Sequence, residues 1–435
     1  MRIFFFVLLM MFMLSRPTFA APSIEITDDR ASPAYWLKSD GDKVLVEPSK
    51  IRQFNYHVRI RDPYSSSLRR LPPQLSASAV QARLDLASKD NDYKVTEPVK
   101  VQHAVTVRRT NVRAQPQPWN GDNYDGLQGT ALDPAEAVAV LISSRDGKFF
   151  FCQTRNYVGW IDRNDLAFTD EVTWLSYVAP KDFLVVVDNK KTVDVKGSKL
   201  LFQMGAVIPL MQVSLEDVPE PEDYSGIDFT GAMVSIGIPA FPRPITNHVE
   251  NTAWIARLPI SVNGRLKEVY VTVPDDDSIN HGWLPCTQNN FVKQAFKFLG
   301  DEYGWGGLND SVDCSSFVGD VYRSMGIQLP RDSNWQEAVM PIVSVFNDVG
   351  TDMRYDIVKR APIGSLLFKR GHVMMYLGQD KSGTPLVIHS ASSYVRNGEK
   401  IFIRKVIVSD LRYQGTAGVE TIDQLTGIAA VTNGG

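Results

Sequence analysis

The apolar residues of this chain change their spacing along its length, and that change restricts the fold more than any other feature. From Val99 to Phe168 they come in short runs. Val105 and Val107 alternate with polar residues, Ala137 to Ile142 is continuously apolar, Asp146-Gly147 is a hairpin turn signal, and Tyr157 to Ile161 follows it. Several short strands so closely spaced predict a small all-β barrel. A second all-β region spans about Lys181 to Thr287. There Phe183 to Val187 predicts a buried strand, Glu216 to Asp223 an exposed acidic loop, and Val269 to Val273 alternates again. Gly282-Trp283-Leu284-Pro285 echoes the ending of the first region, which predicts a second barrel with a long insertion. From Asn289 the spacing turns helical, with Phe291, Ala295, Phe298 and Leu299 on one side, and β-hairpins come later. Helix first and hairpins after is an α+β arrangement. The predicted fold class is therefore multidomain: two small all-β barrels followed by an α+β domain.

The N-terminus predicts a destination. Arg2, the apolar run Ile3 to Leu14 and the small-residue pattern Thr18-Phe19-Ala20 follow the plan of a secretory signal peptide at residues 1–20, cleaved after Ala20. The alternative is a membrane anchor, but the run is short beside the roughly 20 residues that span a bilayer. Stable membrane insertion after cleavage is not expected. Residues 21–95 form an N-terminal segment in which Ser76 to Ala87 carries helical spacing at Val80, Leu84 and Leu86, and the polar stretch Ser88 to Asp92 marks a boundary. The barrels are expected at 96–170 and 180–287 and the last domain at 288–435. A net charge of −3 gives no reason to expect nucleic acid as a partner. Cys152, Cys286 and Cys314 are too few for a disulfide framework. Cys152 and Cys286 are expected as buried apolar residues, with a disulfide between them as the alternative. No cysteine has a metal-ligand spacing, so neither a metal nor a cofactor is expected.

The residues with the clearest chemistry lie in the last domain. Tyr303-Gly304-Trp305-Gly306-Gly307 precedes Asp313-Cys314-Ser315-Ser316-Phe317. Phe317, Val318, Val321, Tyr322 and Met325 then recur at helical spacing, and Gly326 offers a stop. Cys314 is thus placed at the first turn of a helix, where the positive end of the dipole is expected to acidify its thiol. It reads as a nucleophile, or as a buried core cysteine. His372 to Gly378 and Pro385 to Ser390 read as two strands joined by a turn at Gln379 to Gly383, which brings His372 within about one residue of the position opposite His389. One histidine would take the thiol proton and the other would orient it. The alternative is two unrelated strand histidines. His57, His103, His248 and His281 lie outside this domain and are expected to be structural or at the surface.

Together, Y-x-W-G-G, D-C-S-S-F, G-H-V and I-H-S resemble the NlpC-type branch of papain-like cysteine peptidases, over about Asn289 to the C-terminus. Thr110 to Arg113, Ser144 to Gly147 and Gly159-Trp160-Ile161 resemble a bacterial Src-homology-3-like domain. The whole chain resembles cell-wall enzymes with an N-terminal stabilising segment, two such barrels and a peptidase. The resemblance implies Cys314 as nucleophile, His372 as general base and His389 as its orienting residue. It implies Tyr303, Asp313, Ser315 and Ser333 as substrate-binding residues, with Asp313 and Tyr303 reading a free peptide amine. Asp313 as a plain helix cap is the alternative. The family often has Gly where this chain has Ser316. The implied activity is a γ-D-glutamyl–L-diamino acid endopeptidase acting on peptidoglycan stem peptides in the periplasm or extracellular wall. Cleavage of D-Ala–diaminopimelate cross-links, amidase or acyltransferase activity, and an inactive wall-binding protein remain as alternatives.

Overall fold

The computed structural model describes residues 24–122, 124–211, 248–249, 253–415 and 418–431. The expected signal peptide, the acidic loop at 216–223 and the side chain of His248 lie outside them. No helix among the described residues is long and apolar enough to cross a membrane.

The first β region forms strands at Gln102–Thr106, Thr110–Arg113, Gln128–Leu132, Ala137–Ser143, Phe149–Gln153, Val158–Asp162 and Leu166–Thr169. The turn at Asp146-Gly147 forms as its chemistry dictates: Gly147 takes φ +71° and its N–H donates to Ser144 O at 3.0 Å. Trp160, Phe151 and Phe149 fill the core, and the helix Ala77–Ala87 packs Val80 and Leu84 against them. Ser76 caps that helix by accepting from Ala79 N–H.

The two-barrel expectation needs correction. Among the described residues no closed barrel forms. The first region is part of an open ten-stranded sheet, because Phe168 pairs with Arg265 and so admits the hairpin Ala253–Val262/Arg265–Pro274, expected in the second barrel. The rest of the second region splits into a three-stranded sheet of 207–209, 183–186 and 279–281 and a hairpin of 190–195 with 198–203. These pieces still share one core of Leu184, Val193, Phe202, Ile208, Leu258 and Val273. Alternation placed these strands on a core correctly, but it says nothing of which backbone edge each strand pairs with. Gly282 to Pro285 is not a strand, and Trp283 is 39% exposed, unlike the buried Trp160.

The last region packs helices against a six-stranded sheet in the order 342–345, 425–429, 366–369, 372–379, 385–396, 399–409. The helix Gln288–Phe296 ends earlier than its spacing predicts; tighter i to i−3 bonds carry on to Leu299, so Phe298 is still buried. The helix Cys314–Ser324 buries Phe317, Val318, Val321 and Tyr322 against Phe291, Ala295 and Phe298. Gly326, at φ +76°, stops it as expected. The N-terminal segment joins both bodies: Trp36, Val46 and Ile51 enter this core, whereas Leu68, Leu75, Val80 and Leu84 enter that of the first β region.

A contact at Gly306 brings the first sheet to the loop ahead of Cys314. Gln128 Nε2 donates to Gly306 O at 3.1 Å. Gly306 has φ +62°, and a Cβ there would sit 2.5 Å from Gln128 Cγ and 3.1 Å from Gln128 O. Gly306→Ala is therefore expected to lower stability by about 1–3 kcal/mol, from overpacking and backbone strain together. Urea unfolding measures it; a midpoint equal to wild type would show that the loop yields freely.

Candidate active site

Cys314 is the first residue of its helix, and Asp313 is the N-cap. Asp313 Oδ1 accepts from Ser316 N–H at 2.8 Å while Ser316 Oγ accepts from Asp313 N–H at 2.9 Å, a reciprocal capping box. Ser316 thus has a local role, as the second half of this cap. The N–H groups of Val373 and Ser315 favour the charged form of the thiol. Val373 adjoins His372, so the start of the helix and the start of the strand His372–Gln379 meet at the sulfur.

The paired strands put Met375 opposite Ile388 and Tyr376 opposite Val387, with a bulge before Gly378. Continuing that register makes Met374 level with His389, so His372 is the diagonal neighbour, two residues along and on the same face. His372 Nε2 and His389 Nδ1 are 2.7 Å apart, and His389 Nε2 is 3.1 Å from Ser409 Oγ. This chain has one protonation pattern that leaves His372 Nδ1 free to accept a proton: Nε2–H of His372 donates to His389, and Nε2–H of His389 donates to Ser409. Tyr413 stacks on the His389 ring at 5.6 Å and 20°.

The expected acidification of the thiol is not found. Burial, and next the Asp313 carboxylate, push the Cys314 thiol up to about 12. Desolvation of the charged form outweighs the helix dipole and the nearby N–H groups. Burial also holds His372 well below 6.5, helped by His389 and Lys369, and holds His389 near 3. The resting pair is thus neutral, with the proton on sulfur. If His372 takes that proton, it must be neutral, which it is at every pH above its lowered pKa. The acid-side midpoint of kcat/KM is therefore expected below 6.5, and a midpoint at or above that value would contradict a buried His372 base.

Asp313 is engaged on both oxygens. Arg331 Nη2 donates to Oδ2 at 2.7 Å and Nη1 to Oδ1 at 3.2 Å; Gly306 N–H donates to Oδ2 at 3.0 Å and Ser315 Oγ to Oδ1 at 3.1 Å. Burial works most strongly against its charge, but the charge and hydrogen bonds of Arg331 and the hydrogen bonds of Ser316 together hold the carboxyl below the usual range. Arg331 also donates to Ser315 Oγ at 2.9 Å and, through Nε, to Thr130 Oγ1 of the first sheet at 2.8 Å. Tyr303 lies beside this cluster: burial raises its phenol, followed by the charges of Asp313 and Cys314. Ser333 begins the helix Ser333–Val339, is partly exposed, and makes no hydrogen bond to the Asp313–Arg331 cluster.

Cys314, His372, His389, Tyr303, Asp313 and Ser315 are thus brought together, with Ser333 at the margin. Sequence reasoning missed Arg331, Ser409, Tyr413 and Lys369. A search for the cation that a buried Asp313 requires had a candidate in Arg331, two residues before Ser333; Ser409 and Tyr413 carry no local signal. Cys152 and Cys286 are buried and unpaired, as the first of their two readings has it. His103 stacks on Trp174, His281 bonds to Asp182, and His57 is exposed. Among the described residues no group of three or more His, Cys, Asp or Glu is placed to hold a metal ion.

A thiol at a helix start, two linked histidines on an antiparallel sheet and an all-β body ahead of them define a cysteine-peptidase-type domain. Comparison with known proteins agrees: residues 300–406 match the NlpC/P60 family and residues 113–162 an SH3 domain of the SH3b1 type. The chain carries an NlpC/P60 domain towards its C-terminal end, behind an SH3b-type domain. A dipeptidyl-peptidase 6 from Lysinibacillus sphaericus is 22% identical over 246 residues, which is 55% of this chain and 73% of that protein. An NlpC/P60 endopeptidase from Photobacterium damselae subsp. piscicida shares the fold, with a TM-score of 0.68 at 14% identity, covering 94% of this chain and 98% of that one.

Proposed function

We propose that this chain is a peptidoglycan hydrolase that cuts the γ-D-glutamyl–L-diamino acid bond of murein stem peptides. The observation that carries the proposal is the hydrogen-bonded row His372–His389–Ser409 leading to the helix-start thiol of Cys314. Cys314 Sγ gives its proton to His372 Nδ1 and attacks the γ-glutamyl carbonyl. The carbonyl oxygen takes up the negative charge, and the Cys314 N–H, which has no acceptor in the capping box, is aimed from the helix start to meet it. The C–N bond then breaks, His372 protonates the leaving amine, and a thioester remains. Water attacks it, giving one proton to His372; the C–S bond breaks and the proton returns to sulfur.

In this proposal Tyr303, Asp313, Ser315 and Ser333 wall the acyl side of the cleft. Of its two readings, Asp313 has the cap and the Arg331 partnership on its side, because a substrate ammonium would have to compete with a guanidinium already held at 2.7 Å. The same proposal includes export by residues 1–20 and the division into 21–95, 96–170, 180–287 and 288–435. The curated relative is named a dipeptidyl-peptidase, which fits a cut close to a free peptide end. Digestion of defined muropeptides with mass analysis tests the bond. Release of L-Ala-γ-D-Glu supports the proposal. Cleavage only of D-Ala–diaminopimelate cross-links, release of amide-linked glycan, or binding without cleavage would each replace it.

A further inference from the structure

Lys369 ends the strand Leu366–Lys369 and pairs directly with His372 on the neighbouring strand. It is partly buried, its Nζ donates to Thr421 Oγ1 at 3.2 Å, and it lies 4.9 Å from the ring centre of Tyr413, the same ring that stacks on His389. Among the described residues no Asp or Glu forms an ion pair with it. A cation taken out of water without a counter-ion is costly, and proteins keep few of them. Burial lowers this ammonium to about 8, while the nearby thiol draws it back up, so it is still mostly cationic at neutral pH. It is also close enough to the catalytic pair to depress both histidines.

Its position has a side. If His372 protonates the leaving amine, the leaving residue lies on the His372 side of the thiol, and Lys369 stands beside His372. We infer that Lys369 receives the side-chain carboxylate of the leaving residue, and so selects a diaminopimelate, which has one, over a lysine, which has none. This inference rests on the γ-glutamyl–diamino acid bond proposed above.

The test uses the whole chain as wild type, Lys369→Met and Lys369→Arg on four L-Ala-γ-D-Glu-X peptides: X as diaminopimelate, as diaminopimelate amidated on its side-chain carboxylate, as lysine, and as diaminopimelate behind a D-Glu amidated at its α-carboxylate. Wild type is expected to favour free diaminopimelate over the amidated form and lysine by about tenfold or more in kcat/KM, mostly through KM, as one charge-assisted hydrogen bond to an ion provides. Lys369→Met should bring that ratio to within about twofold of one, and Lys369→Arg should keep most of it, because only the charge is conserved. A ratio unaltered in Lys369→Met overturns the inference. So does a Lys369-dependent preference that follows the D-Glu α-carboxylate instead. If wild type cuts all four peptides equally well, the proposed bond stands and the role of Lys369 falls. If wild type cuts none of them, the proposed bond falls and takes this inference with it.

Discussion

Cys314→Ala is expected to reduce muropeptide cleavage by more than about 10³-fold while the protein still unfolds cooperatively near the wild-type midpoint. The sulfur is the only atom lost. The capping box that starts its helix is made by Asp313 and Ser316 and does not involve the thiol. His372→Ala should cost a comparable factor, because burial puts the thiol near 12 and the proposed reaction passes its proton to His372. His389→Ala should cost less, since water can occupy the space between His372 and Ser409. Rates by mass analysis and melting by circular dichroism separate chemistry from folding. Equal turnover by wild type and Cys314→Ala would rule out covalent catalysis by this thiol.

Arg331→Met should unfold more easily than wild type by about 3–5 kcal/mol. Arg331 and Asp313 are 8% and 6% exposed, and their two direct hydrogen bonds are supplemented by those to Ser315 and Thr130. Removing the guanidinium leaves a buried carboxylate without its counter-charge at the first turn of the helix that begins at Cys314. Adding Asp313→Asn removes that charge and keeps a side chain able to cap, so the double variant should recover part of the loss. Urea unfolding of the four proteins in the cycle measures the coupling. Independent, additive losses would mean that the ion pair contributes no more than two separate polar contacts.

The arrangement of the candidate site was legible where it depends on local order along the chain. Cys314 at a helix start followed from the spacing of Phe317, Val318, Val321, Tyr322 and Met325 before the stop at Gly326, and the meeting of the two histidines followed from the length of one hairpin. The bulge near Gly378 moved His372 one step further along than simple counting gave, but a step of two keeps a side chain on the same face, so the pair still meets. The thiol's acidity was misjudged because the helix dipole is a local property and burial is not. Closed barrels are not found for a related reason, although the first region matches an SH3-type domain: the alternation at Val269 to Val273 reports which side of a strand is covered and leaves its edges unassigned, and one pairing, Phe168 with Arg265, joins the later hairpin to the first sheet.

The amino-acid sequence by itself determined the helix that presents Cys314, the strands that present His372 and His389, the turn at Asp146-Gly147, and the change from all-β to α+β. Each of these depends on residues close together in the chain, whose spacing and turn chemistry act before any distant segment arrives. Only the tertiary structure decided that Arg331 neutralises Asp313, that Ser409 completes the histidine row, that Gln128 of the first sheet reaches Gly306, and that Lys369, without an acidic partner among the described residues, stands beside the two histidines. Those facts depend on burial and on contacts between segments far apart in sequence. Desolvation turns each such contact into a matter of charge and partner that spacing along the chain does not encode.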